Sequence, residues 1–365
     1  MDSQFIIEDI RHKEDFRDKS FSGFKKTEII KTLSKCIETG KLENACHWTT
    51  ECILSGYTLD LMDKLIVLSS KLVHINNPRL PSYLWRRYQT LYRSINHIDL
   101  KKQKHQLIHI RNSQVIRNGM FDIVSRITLS SKSKRYDNYP KINEKVDFQF
   151  ESIKRRLHAQ ANFCPDMLFQ FTDPEELRVV INELMFHFKN INVGYESASY
   201  WVSWIFQWEK KQKKLKLPYE IDERDIRDIK QSHKKDVVWL IWSAILVESN
   251  TREEPTQKQI NALYRLFKYD YSTPKRNLRI PLLYHAIGYI THSIPFHIPL
   301  LLDPKPYIQC QCKVNAMFQT KKQNEVRGIL KPPPTKKKKK EKLTIEQEKA
   351  NDKLSILTSI DVFLR

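Results

Sequence analysis

Residues 29–72 read IIKTLSKCIETGKLENACHWTTECILSGYTLDLMDKLIVLSSKL, and their apolar spacing is helical from end to end. Ile29, Leu33 and Ile37 fall four apart with Gly40 just beyond, the pattern of a helix closed by a residue of positive φ. Ala45, Trp48, Cys52 and Ile53 lie on one face of a second segment, which Gly56 ends in the same way. Thr58 can cap a third, where Leu61, Leu65, Leu68 and Leu72 form a narrow stripe before the break at Asn76-Asn77-Pro78. Connections this short make the helices antiparallel neighbours, and the fold class they predict is all-α.

The same periodicity continues toward the C-terminus. Pro81 opens a helix carrying Leu84, Trp85, Tyr88, Leu91, Tyr92 and Ile95, and another is predicted from about 112 to 129. The polar stretch 130–140 reads as a linker. Helical spacing resumes near Phe148. Asp173-Pro174-Glu175-Glu176 is a strong helix start, with Asp173 as cap, ahead of Leu177, Ile181, Leu184, Met185 and Phe188. Further helices are predicted around Trp201, Trp204 and Trp208, then at 236–248, 256–267 and 276–291, and the prolines of 295–306 end the packed part. The expected organisation is an arm at 1–20, a helical bundle at 21–135, a linker at 136–147 and a second bundle at 148–302. A Pro/Lys-rich, largely disordered basic tail at 303–342 follows. At 343–365, Leu354, Ile356, Leu357, Ile360 and Phe363 can fold as a helix on docking.

Only seven of the 365 residues are glycine, and none forms a Gly-x-Gly. Backbone amides approach phosphate closely only where no Cβ intervenes, so the Gly-rich loops of nucleotide enzymes are excluded. Gly119 and Gly288 fall inside predicted helices, where glycine costs about 1 kcal/mol relative to alanine, and mark close crossings. His105 and His109 have metal-helix spacing, but Gln106 stands where a metalloprotease needs its glutamate base. Acid clusters at Glu8-Asp9, Glu14-Asp15 and 222–228 are interleaved with basic residues, as solvated faces are. The cysteines Cys36, Cys46, Cys52, Cys164, Cys310 and Cys312 show no Cys-x-x-Cys spacing and read as reduced thiols in a cytosolic or nuclear setting. No catalytic residue, metal or cofactor is expected. The apolar run 237–247 is about half the ~20 residues a membrane span needs and reads as a core helix.

A net charge of +21 calls for a polyanionic neighbour, nucleic acid before membrane. Basic residues recur at helix ends and connections, where they can reach phosphates: Lys101, Lys102 and Lys104; Lys132, Lys134 and Arg135; Lys154, Arg155 and Arg156; and the lysines of 210–216. In the tail, residues 321–342 hold ten Lys or Arg against two Glu, a surplus of eight charges out of twenty-one. Lys331, Lys336, Lys337, Lys338, Lys339, Lys340 and Lys342 read equally as a DNA arm or a nuclear-import signal. Contact with the backbone and no reading of bases is expected. Trp48, Trp85, Trp201, Trp204 and Trp208 are candidates for protein contacts as well as for packing.

The blocks Ile7-Glu8-Asp9-Ile10-Arg11, Phe21-Ser22-Gly23-Phe24-Lys25-Lys26, 43–51 (ENACHWTTE) and 74–81 (HINNPRLP), extended by Arg111 and Asn112, resemble the N-terminal blocks of a conserved protein of large nucleocytoplasmic DNA viruses. The likeness covers about the first 140 residues and brings no established activity. It implies a protein of an infected host cell, in a cytoplasmic viral factory, the nucleus or the virion. In layout, residues 31–130 are also similar to the C-terminal collar domains of clamp-loader-related ATPases, without the ATPase module. That likeness implies self-association or scaffolding, not motor activity. The expected function is a non-enzymatic DNA-associated scaffold in replication, transcription or packaging, with viral replication proteins as partners. The alternative is an internal or minor capsid protein whose tail contacts DNA or an acidic virion protein.

Overall fold

Fourteen α-helices and short 3₁₀ and π turns make up residues 3–100, 106–133 and 139–327, which a computed structural model of the chain describes, and no strand occurs among them. The first three are α1 (Lys26–Glu38), α2 (Leu42–Leu54) and α3 (Thr58–Leu68). Gly40 and Gly56 close the first two with φ of 73° and 72°, as the spacing requires. Next come α4 (Leu80–Leu100), α5 (Gln106–Asn112) and α6 (Gln114–Leu129). The helix expected from 112 starts later because Ser113 is extended and its Oγ accepts from the Ile116 amide at 3.4 Å.

The chain continues through α7 (Phe150–Arg156), α8 (Glu175–Phe188), α9 (Gly194–Leu215), α10 (Val238–Ser249), α11 (Glu254–Lys268), α12 (Thr273–Thr291), α13 (Lys305–Cys312) and α14 (Val314–Gln319). Asp173, expected to cap α8, is instead held by the Arg224 guanidinium at 2.5 and 3.1 Å, and Pro174 takes the cap position. A carboxylate beside a buried guanidinium gains more from that charge than from a terminal amide. Most of the apolar run 237–247 is buried in α10, and no helix among the described residues is long and apolar enough to cross a membrane.

The expected boundary at 136–147 does not divide the core, and residues 3–327 form one compact unit. Helix α4 packs on α6 and also on α11, while α12 packs on α9, α10 and α11 and on α3 from the first half. Tyr92 lies over Tyr269 with centroids 4.0 Å apart, and the buried Arg279 guanidinium pairs with Asp63. Apolar stripes of both halves are thus covered by each other. Nor do the prolines of 295–306 end the packed part: α13 and α14 return to α2 and α6 and bury Cys310, Val314 and Phe318. The tail from 328 and the segment 343–365 lie outside the described residues.

Both ends of the described chain are fastened by buried charge. Asp9 accepts from Arg11 Nη2 at 2.7 Å, from the Val326 amide at 2.8 Å and from Arg111 Nη1 at 3.3 Å. Burial opposes its ionisation, but these donors and cations outweigh burial and hold its carboxyl below the usual range. Burial also lowers Arg111 to about 10, which leaves it charged at neutral pH. Glu51, fully buried, receives Ser20 Oγ at 2.6 Å, Ser22 N at 2.7 Å and Lys321 Nζ at 2.8 Å. Arg111→Met, which leaves part of the Asp9 charge uncompensated, is expected to cost about 3 kcal/mol in urea unfolding, and adding Asp9→Asn to recover part of it. A loss under ~1 kcal/mol would mean that Arg11 alone satisfies the carboxylate.

At the junction of the halves, the buried rings of His74 and His285 stack at 4.5 Å, and His285 Nδ1 lies 3.1 Å from Ser70 Oγ. A Cβ on Gly288 would come within 2.3 Å of His74 Cε1, so the close approach expected there is to an imidazole. At Gly119 the neighbour is the end of the Leu91 side chain, 2.8 Å away on α4. Gly288→Ala is expected to lower stability by about 1–3 kcal/mol despite the gain in helix propensity. Gly119→Ala, facing a side chain that can turn aside, is expected to be near neutral; thermal unfolding of the two variants decides. Burial pushes His285 from 6.5 down to about 3, so the folded chain holds it neutral while the unfolded chain takes up a proton below 6.5. Its contribution is complete above that pH and falls as pH drops toward 3, by about 2 kcal/mol at pH 5. His285→Gln is expected to flatten that part of the stability–pH curve, and an unchanged slope would assign it to other groups.

Candidate nucleic-acid interface

Helix α9 is amphipathic along its length and changes character at its C-terminal end. Trp201, Trp204 and Trp208 are buried, so these candidates for protein contact belong to the core. Their three- and four-residue spacing puts them on the face that α8 and α12 cover. Beyond them Lys210, Lys214 and Lys216 are exposed. The helix closes at Lys216 with φ 54°, its amide on Lys213 O and that of Leu217 on Gln212 O, a Schellman end built without glycine.

Residues 139–157 lie against this helix and are not the linker that 136–147 was expected to be. Tyr139 stacks on Tyr284 at 4.0 Å. Asp147 accepts from Tyr200 Oη at 2.9 Å, and its carbonyl takes the Trp204 Nε1 hydrogen at 3.0 Å. Phe148 stacks on Trp204 at 4.8 Å and carries Lys211 Nζ 4.6 Å from its ring centroid. Arg156, at the end of α7, sits 4.1 Å over the Tyr200 ring. Two polar bonds and three ring contacts therefore fix the register of this segment on α9.

The result is a basic face. Lys141, Lys145, Lys154, Arg155, Arg156, Lys210, Lys214 and Lys216 are exposed and Lys211 is half-buried, against the exposed acids Glu144 and Glu151. The acids Asp147 and Glu209 of the same segments point inward, and Glu209 is neutralised by Arg276 at 3.0 Å and Lys213 at 2.7 Å. From Tyr200 to Lys214 the helix rises about 21 Å, comparable to six base-pair steps of duplex. Phe150, 74% exposed, stands on the same segment as the cations. Flexible cations around an open ring are suited to phosphate contact with some stacking on bases.

The other expected contacts fare differently. Lys154, Arg155 and Arg156 are exposed in the last turn of α7, where Arg156 meets Tyr200 of α9. Lys132 is not a phosphate contact: its Nζ donates to the carbonyls of Ile127, Thr128 and Ser130 at 2.6–2.8 Å and closes α6, and burial lowers it to about 8. A lysine three residues past a helix end reaches the bare carbonyls more readily than a distant anion. Trp48 packs edge-on to Phe24 and Trp85 to Tyr269, so both, half-buried, join elements within the chain. Lys101, Lys102, Lys104, Lys134, Arg135, Lys331, Lys336, Lys337, Lys338, Lys339, Lys340 and Lys342 lie outside the described residues, as does His105. The sequence reading missed Lys141, Lys145 and Phe150 because they sit in and beside a stretch taken for a linker; the adjacent Asp147-Phe148 pair is the signal that it docks. Among the described residues no group of three or more His, Cys, Asp or Glu could hold a metal ion. No protein-family model matches this chain, and neither does any curated protein or solved structure compared with it.

Proposed function

We propose that this chain is a non-enzymatic, DNA-associated scaffold that holds the phosphate backbone of nucleic acid on the face formed by residues 141–156 and 210–216. The single observation that carries the reading is the charge imbalance there: ten exposed or half-exposed cations, of which Lys213 pairs with Glu209 and Lys214 with Glu144, against two exposed acids, on a segment locked to α9. Locking matters because cations held in register release condensed counterions together when a strand binds. The lysine-rich tail supplies a second, sequence-independent contact in this reading. A role in replication, transcription or packaging of a large DNA virus genome rests on the resemblance of the N-terminal blocks, and the absence of Gly-rich phosphate loops from the sequence favours binding over catalysis.

Fluorescence anisotropy with a mixed-sequence duplex, titrated across salt concentrations, tests the proposal. Wild type is expected to show a steep linear fall of log affinity with log salt. Replacing Lys154, Arg155, Arg156, Lys210 and Lys214 by alanine is expected to weaken binding at least about tenfold at low salt and to reduce the slope by about 2–4, with an unchanged circular dichroism spectrum. Deleting 328–342 separates the tail's share. If the alanine variant binds as wild type does while the deletion abolishes binding, the face is not the interface; if neither change matters, the nucleic-acid reading fails.

A further inference from the structure

Cys46 on α2 and Cys310 on α13 stand 264 positions apart in the chain and bring their Sγ atoms to 2.9 Å. That is inside the ~3.5–4.0 Å at which even the smaller carbon atoms pack without bonding. Both side chains are buried, and Ser125 Oγ of α6 is the other polar neighbour of Cys46, at 3.9 Å. No other two cysteine sulfurs among the described residues come within hydrogen-bonding distance.

The two thiols are not equivalent. The hydrogen bond from Cys46 holds Cys310 below the usual thiol range against the effect of burial, while the same contact and burial push Cys46 up. Cys310 is the first nucleophile because it has an approach: it forms part of the wall of a cavity of about 470 Å³ lined by Lys41, Leu42, Asn44, Pro306 and Gln309, with the Glu43–Lys313 ion pair beside it.

We propose that Cys46 and Cys310 are a reversible disulfide site that fastens α13, and the segment running from it to the basic tail, onto α2. The co-reactant is a small disulfide of the glutathione type. The Cys310 thiolate attacks one of its sulfurs, forming a mixed disulfide and releasing one thiolate. Cys46, giving up its proton, then attacks the Cys310 sulfur, forms the internal bond and releases the second thiolate. Two protein thiols are oxidised, one small disulfide is reduced to two thiols, and the two protons end on those thiols. In the reduced state the same segment is held by Lys321 on Glu51 and by the Val326 amide on Asp9, so reduction loosens it without unfolding the core.

The reduced full-length chain, incubated with oxidised glutathione, quenched in acid and alkylated in guanidinium, is expected to lose two of its six reactive thiols and two hydrogens in intact mass. Peptide mapping is expected to give one cross-link joining the peptides of Cys46 and Cys310, reversed by dithiothreitol. Closing so long a loop is expected to raise Tm by about 5–8 °C. Cys312→Ser is expected to behave as wild type, and Cys46→Ser to stop at glutathione bound to Cys310. A cross-link through Cys312, or six thiols still free, or glutathione found on Cys312 alone, would each overturn the assignment.

Discussion

Cations close the helix ends of this protein. The last carbonyls of a helix lack intrahelical donors and carry the negative end of its dipole. Here Arg111 Nε reaches Leu54 O at the end of α2 at 2.7 Å, and Arg117 Nε reaches Arg111 O in the last turn of α5 at 2.6 Å. Arg279 Nη1 takes Phe267 O and Tyr269 O around the end of α11, and Arg252 Nη2 takes Phe188 O at the end of α8. Lys132 turns back on α6. Glycine commonly does part of this work by letting the chain turn, but with seven glycines in 365 residues it is a minor device, and long side chains from elsewhere take over. Each of these arginines ties a helix end to another part of the chain, so local closure and tertiary packing become one interaction.

This use of charge changes how the basic balance is read. Arg111, Arg117 and Arg279 are fully buried, and Arg276 and Arg224 nearly so, each against carboxylates or carbonyls. Where the partner is a carboxylate, as for Arg224, Arg276 and Arg279, the pair contributes no net charge to the field outside. Exposed cations are dense on the segments 141–156 and 210–216, where two of them, Lys213 and Lys214, pair with Glu209 and Glu144. The blocks on which the viral resemblance rests behave similarly: Asp9, Arg11, Phe21, Ser22, Glu51, Arg111 and Asn112 meet in one region where the N-terminal arm is bound to the helices and to residues 321–326. Those residues have a structural job in fastening the arm.

The helices were legible because burial repeats every 3.6 residues, and Ile29, Leu33, Ile37, Leu61 and Leu65 are as buried as their spacing implies. The same spacing could not say what covers a stripe. Trp201, Trp204 and Trp208 would share a face whether it met another helix of the chain or another protein. Lys132 and Lys154 look alike in sequence, each in a short polar or basic run, yet one turns back on a helix end and the other faces outward. Proline density around 300 stops a helix but does not stop the chain from packing, so α13 and α14 were hidden behind it.

By itself the sequence determined the all-α class, most helix positions, the two glycine-closed ends and the absence of a Gly-rich phosphate loop, because each is set by residues within a few positions of one another. Tertiary structure alone decided that both halves share one core, which cations are spent on carbonyls, that 139–157 docks on α9 and that Cys46 meets Cys310. Except where Lys132, Arg117 and Arg279 reach carbonyls close by in the chain, those outcomes depend on residues far apart in it, and contacts between distant residues leave no period to be read.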